Sequence, residues 1–179
     1  MVLLARGRHG LARVGSTVPL AHPLDVAVGH RWHAVRIEEI ASEDYSSDQC
    51  EAWAARADDV AAFGKNLAGS LTLIATLDGA CTGFASLKGA DVLDMLFVDP
   101  AHARRGVGTA LIDALARIAQ ARGAERLTSE VSDTAKPLFE RRQFVAQRRN
   151  LVANGDEWLG NTTMTRILAK SPAAPATRN

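Results

Sequence analysis

The residues best equipped for chemistry stand together at Arg104-Arg105-Gly106-Val107-Gly108, between an apolar run and a helical repeat. The run Val92-Leu93-Asp94-Met95-Leu96-Phe97-Val98 is too short for a spanning helix and rich in strand formers. Asp99-Pro100 ends it, because proline has no N–H to give to a sheet ladder. Beyond the glycines, Val107, Leu111, Leu115 and Ile118 recur on one helical stripe, and Gly123 stands where a left-handed cap is expected. Strand, glycine turn and helix N-terminus in that order suit an anion. The first amides of a helix have no partner within it, and the helix dipole adds positive potential there. Gly106 and Gly108 let a phosphate approach the backbone with no Cβ in the way, and Arg104 and Arg105 add fixed charge. A tight strand-to-helix connection would explain a lone G-x-G. The two arginines, the apolar strand and the immediate helix start argue for more.

Two carboxylates sit where they are costly. Asp94 is inside the apolar run, and Glu130 is inside Arg126 to Val131, a second strand. A carboxylate in such a position is either paired or functional. Each is a candidate general base; the alternative is that each faces solvent or pairs with an arginine such as Arg126. Two familiar phosphate motifs fail. No G-x-x-x-x-G-K-[ST] run exists, and a G-x-G-x-x-G fingerprint would need glycine where Leu111 stands.

The stretch LDMLFVDPAHARRGVGTALI resembles the acetyl-CoA-binding motif of the GNAT superfamily of N-acetyltransferases. That pattern is Gln/Arg-x-x-Gly-x-Gly/Ala after a strand that ends in a Pro-containing loop. Gly106 and Gly108 fill the two small positions, and Ala103 departs from the first. Ala135 to Phe144, AKPLFERRQF, is similar to the family's A-x-x-(F)-Y-E-K-x-G-F segment. DYSSDQCEAW and the final hairpin, with Asn150, Gly155, Leu159, Asn161 and Met164, resemble one bacterial subgroup. The resemblance covers about Tyr45 to Leu168.

The resemblance implies a cosubstrate, acetyl-CoA, and places for its parts. Amides from Arg104 through Arg105, Gly106, Val107 and Gly108 to Thr109 would grip the pyrophosphate, and the main chain of Leu96, Phe97 and Val98 would pair with the pantetheine arm. An amide near Leu96 or Phe97 would polarise the thioester oxygen. The tyrosine that protonates the leaving thiolate in many relatives is Phe139 here, expected only as a cofactor contact. A thiolate of pKa ~8.5 leaves without strong acid help, and Ser132 or a water would serve. An acceptor amine, with an alkylammonium pKa near ~10.4, must lose a proton to attack. Trp32, Tyr45 and Trp53 are read either as packing between helices or as walls of a closed acceptor pocket. Arg141 and Arg142 are read as a solvated helix face rather than as a 3′-phosphate site.

The elements that hold these residues follow in order. Residues 1–20 are poorly defined. A helix is expected over Asp25 to Ser42, a second from a capping box at Ser46 and Gln49 that carries Trp53, and a third over Asp58 to Leu67. Ser70 to Leu77 and Ala80 to Leu87 form a hairpin, with Gly83 marking a bulge. The Val92 strand, the helix and Arg126 to Val131 form a right-handed parallel crossover. Ser132 to Arg142 is a short helix with Pro137 in its first turn, and Phe144 to Val152 and Thr162 to Leu168 a long hairpin. The expected fold is α/β, a GNAT-like, largely antiparallel mixed sheet whose central parallel pair splays to admit the acyl chain. One domain covers 21–169, and 170–179 is a disordered tail.

Composition fits that picture. The 179 residues suffice for one domain with a sizeable core. A net charge of +1 lacks the basic excess of a nucleic-acid binder. No apolar run reaches the ~20 residues of a membrane span, and the N-terminus lacks a signal-peptide core. Cys50 and Cys81 give neither a disulfide framework nor metal spacing, and His30 and His33 have no partner cysteine, so no metal and a cytoplasmic setting are expected. The resulting expectation is an acetyl-CoA-dependent N-acetyltransferase acting on a small amine. A non-catalytic acyl-CoA-binding module and a protein-directed acetyltransferase are the alternatives. A homodimer paired along the hairpin edges is a further expectation.

Overall fold

The computed structural model describes residues 69–77, 80–154 and 156–169, together with positions 46, 48 and 65. Of the three expected N-terminal helices the described residues include only Asp48 and Lys65, both helical. Residues 1–20, Trp32, Tyr45, Trp53 and the tail lie outside the described residues.

The described residues form one six-stranded sheet and two α-helices. The strands are β1 (Leu71–Leu77), β2 (Ala80–Lys88), β3 (Val92–Val98), β4 (Arg126–Ser132), β5 (Val145–Asn154) and β6 (Glu157–Ile167). Helix α1 (Val107–Ala121) connects β3 to β4, and α2 (Lys136–Arg141) follows β4. The sheet order is β1-β2-β3-β4-β6-β5, with β3 and β4 parallel and every other neighbour antiparallel. The mixed sheet expected from the sequence is therefore observed. The strand bounds match within a residue or two through β4. The final hairpin differs: β6 begins at Glu157, five residues earlier than its apolar pattern suggests, because Trp158 to Asn161 pair with Asn150 to Ala153. The short helix also shrinks to Lys136–Arg141, since Ser132 ends β4 and residues 133–135 form the turn.

One face of the sheet carries the core. Leu73, Ala75, Ala85, Leu87, Leu93, Leu96, Val98, Leu127, Val131 and Met164 pack against Val107, Leu111, Ile112, Leu115 and Ala119 of α1. Two bulges decide which residues reach it. In β2 the register passes from Ala75↔Gly83 to Thr76↔Cys81, so the extra residue is Thr82, beside the expected Gly83. In β3 it passes from Leu87↔Leu93 to Ser86↔Met95, so the extra residue is Asp94. A bulge shifts the side-chain parity. Leu96 and Val98 thus join Leu93 in the core, while Phe97 turns to the other face and stacks on Phe84 at 5.0 Å.

Gly123 takes the left-handed cap expected of it, at φ +86. After α2 the same conformation falls on Gln143, at φ +66. This is the glycine position of the family segment. A non-glycine residue there costs about 1–2 kcal/mol. Gln143→Gly should raise stability by roughly 0.5–1 kcal/mol, less than the strain relieved because glycine is freer in the unfolded chain. Denaturant melts of the two proteins would read it, and a loss of stability would contradict the strain account.

Candidate active site

The sheet opens between β3 and β4. Their parallel register is the single pair Val92↔Thr128, closed by Thr128 N–H to the Asp91 carbonyl at 2.9 Å and Ser129 Oγ to the Leu93 carbonyl at 2.8 Å. Beyond it the C-terminal halves have no register pairs with each other. Asp99 N–H bonds the Thr82 carbonyl on the β2 side at 2.9 Å. Main-chain groups alternate along an antiparallel ladder, so Phe97 also faces β2, while Leu96 and Val98 turn theirs into the gap. The expectation that Leu96, Phe97 and Val98 would all serve a ligand through the main chain narrows to Leu96 and Val98.

At the mouth of the gap lies a cavity of about 580 Å³, lined by Val98, Arg104, Gly106, Val107, Gly108, Thr109, Thr134, Pro137, Leu138 and Arg141. Its floor is the start of α1. Asp99 ends β3 by accepting from Ala101 N–H at 3.0 Å and pairing with His102 at 3.1 Å, which shapes a 3₁₀ turn over Pro100–His102. Arg104 at φ +58 and the helix cap Gly106 at φ +82 then reverse the chain. No side chain caps the helix, so the amides of Val107, Gly108 and Thr109 are presented toward the cavity. Gly106 needs its positive φ, and a Cβ built there would meet nothing within 4 Å, which leaves the approach to these amides open. Gly83 does a different job beneath the helix. A Cβ there would lie 2.7 Å from the Phe97 carbonyl and 2.9 Å from Val107 Cγ1, so its absence seats the first turn of α1 on the sheet.

The sequence-derived candidates divide by position. Val98, Arg104, Gly106, Val107, Gly108 and Thr109 come together at the cavity; Arg105 is not among its lining residues. Phe139 is not a cavity residue either. Its ring is fully exposed to neither solvent nor cavity, being wholly buried in the core edge to face with Phe144 at 4.8 Å. A six-residue helix must bury one face to stay docked, and Phe139 takes that place. The reading of Arg141 and Arg142 as one solvated face holds for Arg141, which is exposed, and not for Arg142, which is half-buried. Arg141 lines the cavity, and Arg142 pairs with Asp113 at 2.9 Å. Thr134, Pro137 and Leu138 were not singled out as lining residues, because only the turn after β4 carries them to α1.

The three catalytic candidates occupy the β3–β4 region in different settings. Asp94 is the half-buried bulge residue of β3. Ser132 is fully buried, and its Oγ accepts from Ala135 N–H at 3.3 Å, holding the turn into α2. Glu130 is exposed and accepts from Thr163 Oγ at 2.9 Å and Asn150 Nδ2 at 3.1 Å. Among the described residues, no group of three or more His, Cys, Asp or Glu is placed to hold a metal ion.

A sheet split at a central parallel pair, with an uncapped helix N-terminus at the split, sets main-chain amides beside an open cleft, a place suited to an anionic ligand. Residues 41–164 match the family model of the acetyltransferase (GNAT) domain. The chain is 36% identical over 124 residues to the uncharacterized N-acetyltransferase YafP of Escherichia coli K12, an alignment covering 69% of this chain and 77% of that protein. It is 49% identical to a GCN5-related N-acetyltransferase from Rhodopseudomonas palustris, with a TM-score of 0.83 over 90% of this chain and 100% of that one. The PaiA N-acetyltransferase of Thermoplasma acidophilum, solved in complex with coenzyme A, shares the fold at 15% identity, with a TM-score of 0.65 over 80% and 93% of the two chains. The chain belongs to the GNAT acetyltransferase family.

Proposed function

We propose that this protein transfers an acetyl group from acetyl-CoA to the amine of a small molecule by direct attack. The observation that carries the reading is the juxtaposition of the α1 amides, Arg104 and Arg141 around one cavity that reaches Val98, the last residue of β3 beside the unpaired β3–β4 gap. These residues fit the group. Pyrophosphate oxygens suit the amides of Val107 to Thr109, the arginines suit phosphate charge, and the Leu96 and Val98 main chain suits an amide-bearing arm. Fold relatives solved with coenzyme A support the same assignment, the Thermoplasma enzyme among them.

Bound acetyl-CoA would supply an activated thioester carbonyl. Leu96 or Val98 N–H would donate to the carbonyl oxygen as it gains charge on attack. A carboxylate would take the proton the amine nitrogen sheds as its lone pair forms the new C–N bond, and Asp94 is the candidate on β3. The C–S electron pair leaves with sulfur, and the Ser132 hydroxyl or a water would return a proton to it. Nothing at Phe139 contributes one, since a phenyl ring has no proton to give. Cytoplasmic residence and a homodimer through the β5–β6 hairpin remain part of the proposal.

Calorimetry with coenzyme A tests the cavity directly. Wild-type protein should bind, and Gly106→Val should bind about tenfold more weakly or worse, because a β-branched residue cannot hold φ +82 without moving the helix start. Absence of binding heat in the wild type would end the acetyltransferase reading.

A further inference from the structure

A polar cluster drawn from three strands surrounds Glu130. Glu130 lies on β4, Asn150 on β5, and Asn161 and Thr163 on β6. Thr163 Oγ donates to Glu130 Oε1 at 2.9 Å, and Asn150 Nδ2 reaches Glu130 Oε2 at 3.1 Å, Asn161 Oδ1 at 2.9 Å and Thr163 Oγ at 2.8 Å. Arg148 Nε donates to Asn150 Oδ1 at 2.8 Å, which fixes the amide so that its Nδ2 faces the carboxylate. The cluster thus offers more acceptors than donors and carries the Glu130 charge; the Arg148 charge lies on the opposite side of the Asn150 amide.

A carboxylate has about four acceptor sites, and each Glu130 oxygen holds one donor. One site on each oxygen stays available, and the side chain is exposed. Its location matters as much as its capacity. Counting from Val92↔Thr128 through the Asp94 bulge brings Met95 level with Glu130 and Leu96 level with Val131. Alternation puts Glu130 on the sheet face opposite α1, away from the buried Ser129 and Val131. The carboxylate therefore sits beside the gap, across the sheet from the cavity.

From this geometry we propose that Glu130, oriented by Thr163 and Asn150, binds a second nitrogen of the acceptor in its protonated form. The nitrogen that attacks the thioester must be neutral, with its lone pair free. A nitrogen held as an ammonium on a carboxylate has no lone pair to give, so the group Glu130 holds is not the attacking one. The acceptor class is a short diamine, or an amine that carries another cationic group. This deepens the acetyltransferase reading and rests on it.

The test compares 1,4-diaminobutane with n-butylamine as acceptors, using acetyl-CoA and the whole chain. Wild type should favour the diamine in kcat/KM. Glu130→Gln keeps the shape and one acceptor oxygen, and should reduce that preference about tenfold, mainly through KM for the diamine, as expected for loss of a hydrogen-bonded charge. Thr163→Val should reduce it in the same direction by less. The heat of coenzyme A binding should match wild type in both variants. Equal losses for the two amines in Glu130→Gln, with disappearance of the acid limb of the pH–rate profile, would make Glu130 the base and overturn the proposal. An unchanged preference with normal coenzyme A binding would overturn it alone, whereas no coenzyme A binding in wild type would remove the underlying reading as well.

Discussion

Phe139→Ala is expected to destabilise the protein by about 3–5 kcal/mol, a large share of the stability of an ordinary domain. The ring is fully buried and meets Phe144 edge to face, so truncation leaves a cavity with no neighbour free to fill it. The effect reaches the cavity because α2 has only six residues and contributes Leu138 and Phe139 to the core. Pro137, Leu138 and Arg141 on the same helix line the site. Loosening α2 should therefore weaken coenzyme A binding beyond the stability loss alone. Urea melts measure the first effect, and calorimetry well below the melting temperature the second. Full stability in the alanine variant would mean that the ring is not a packing element.

Gly83→Ala is the second large expectation, although it adds only a methyl group. The new Cβ would lie 2.7 Å from a backbone oxygen of β3 and 2.9 Å from Val107 Cγ1, and the backbone oxygen cannot rotate away. Either β2 shifts from β3 or the first turn of α1 lifts from the sheet. Overpacking of this kind costs about 1–3 kcal/mol. The displaced residue, Val107, is one whose amide faces the cavity, so affinity for coenzyme A should fall along with stability. Gly83→Ala with the wild-type melting temperature and unchanged binding heat would show that the α1 seat does not depend on this contact.

Much of the fold was legible in the chain itself. Local rules suffice for the Val92–Val98 strand, the α1 stripe of Val107, Leu111 and Leu115, and the cap at Gly123, since each depends on neighbours a few residues away. The anion site was legible for the same reason: strand end, glycines and helix start are contiguous. The β5–β6 register was not, because Trp158 to Asn161 lack an apolar alternation and become strand only through their partners on β5.

The sequence by itself determined the family motif, the parallel crossover and the residues at the start of α1, because those features are local and repeat with helix or strand period. Only the tertiary structure decided which side chains meet. The Asp94 bulge swaps the faces of everything after it in β3, an effect that a strict two-residue alternation cannot anticipate. The turn after β4 carries Arg141 to the cavity and buries Phe139, and strands β5 and β6 bring Asn150 and Thr163 onto Glu130 from more than 19 residues away in the chain. Such long-range pairings are fixed by how the sheet closes around its core, not by any one stretch of residues.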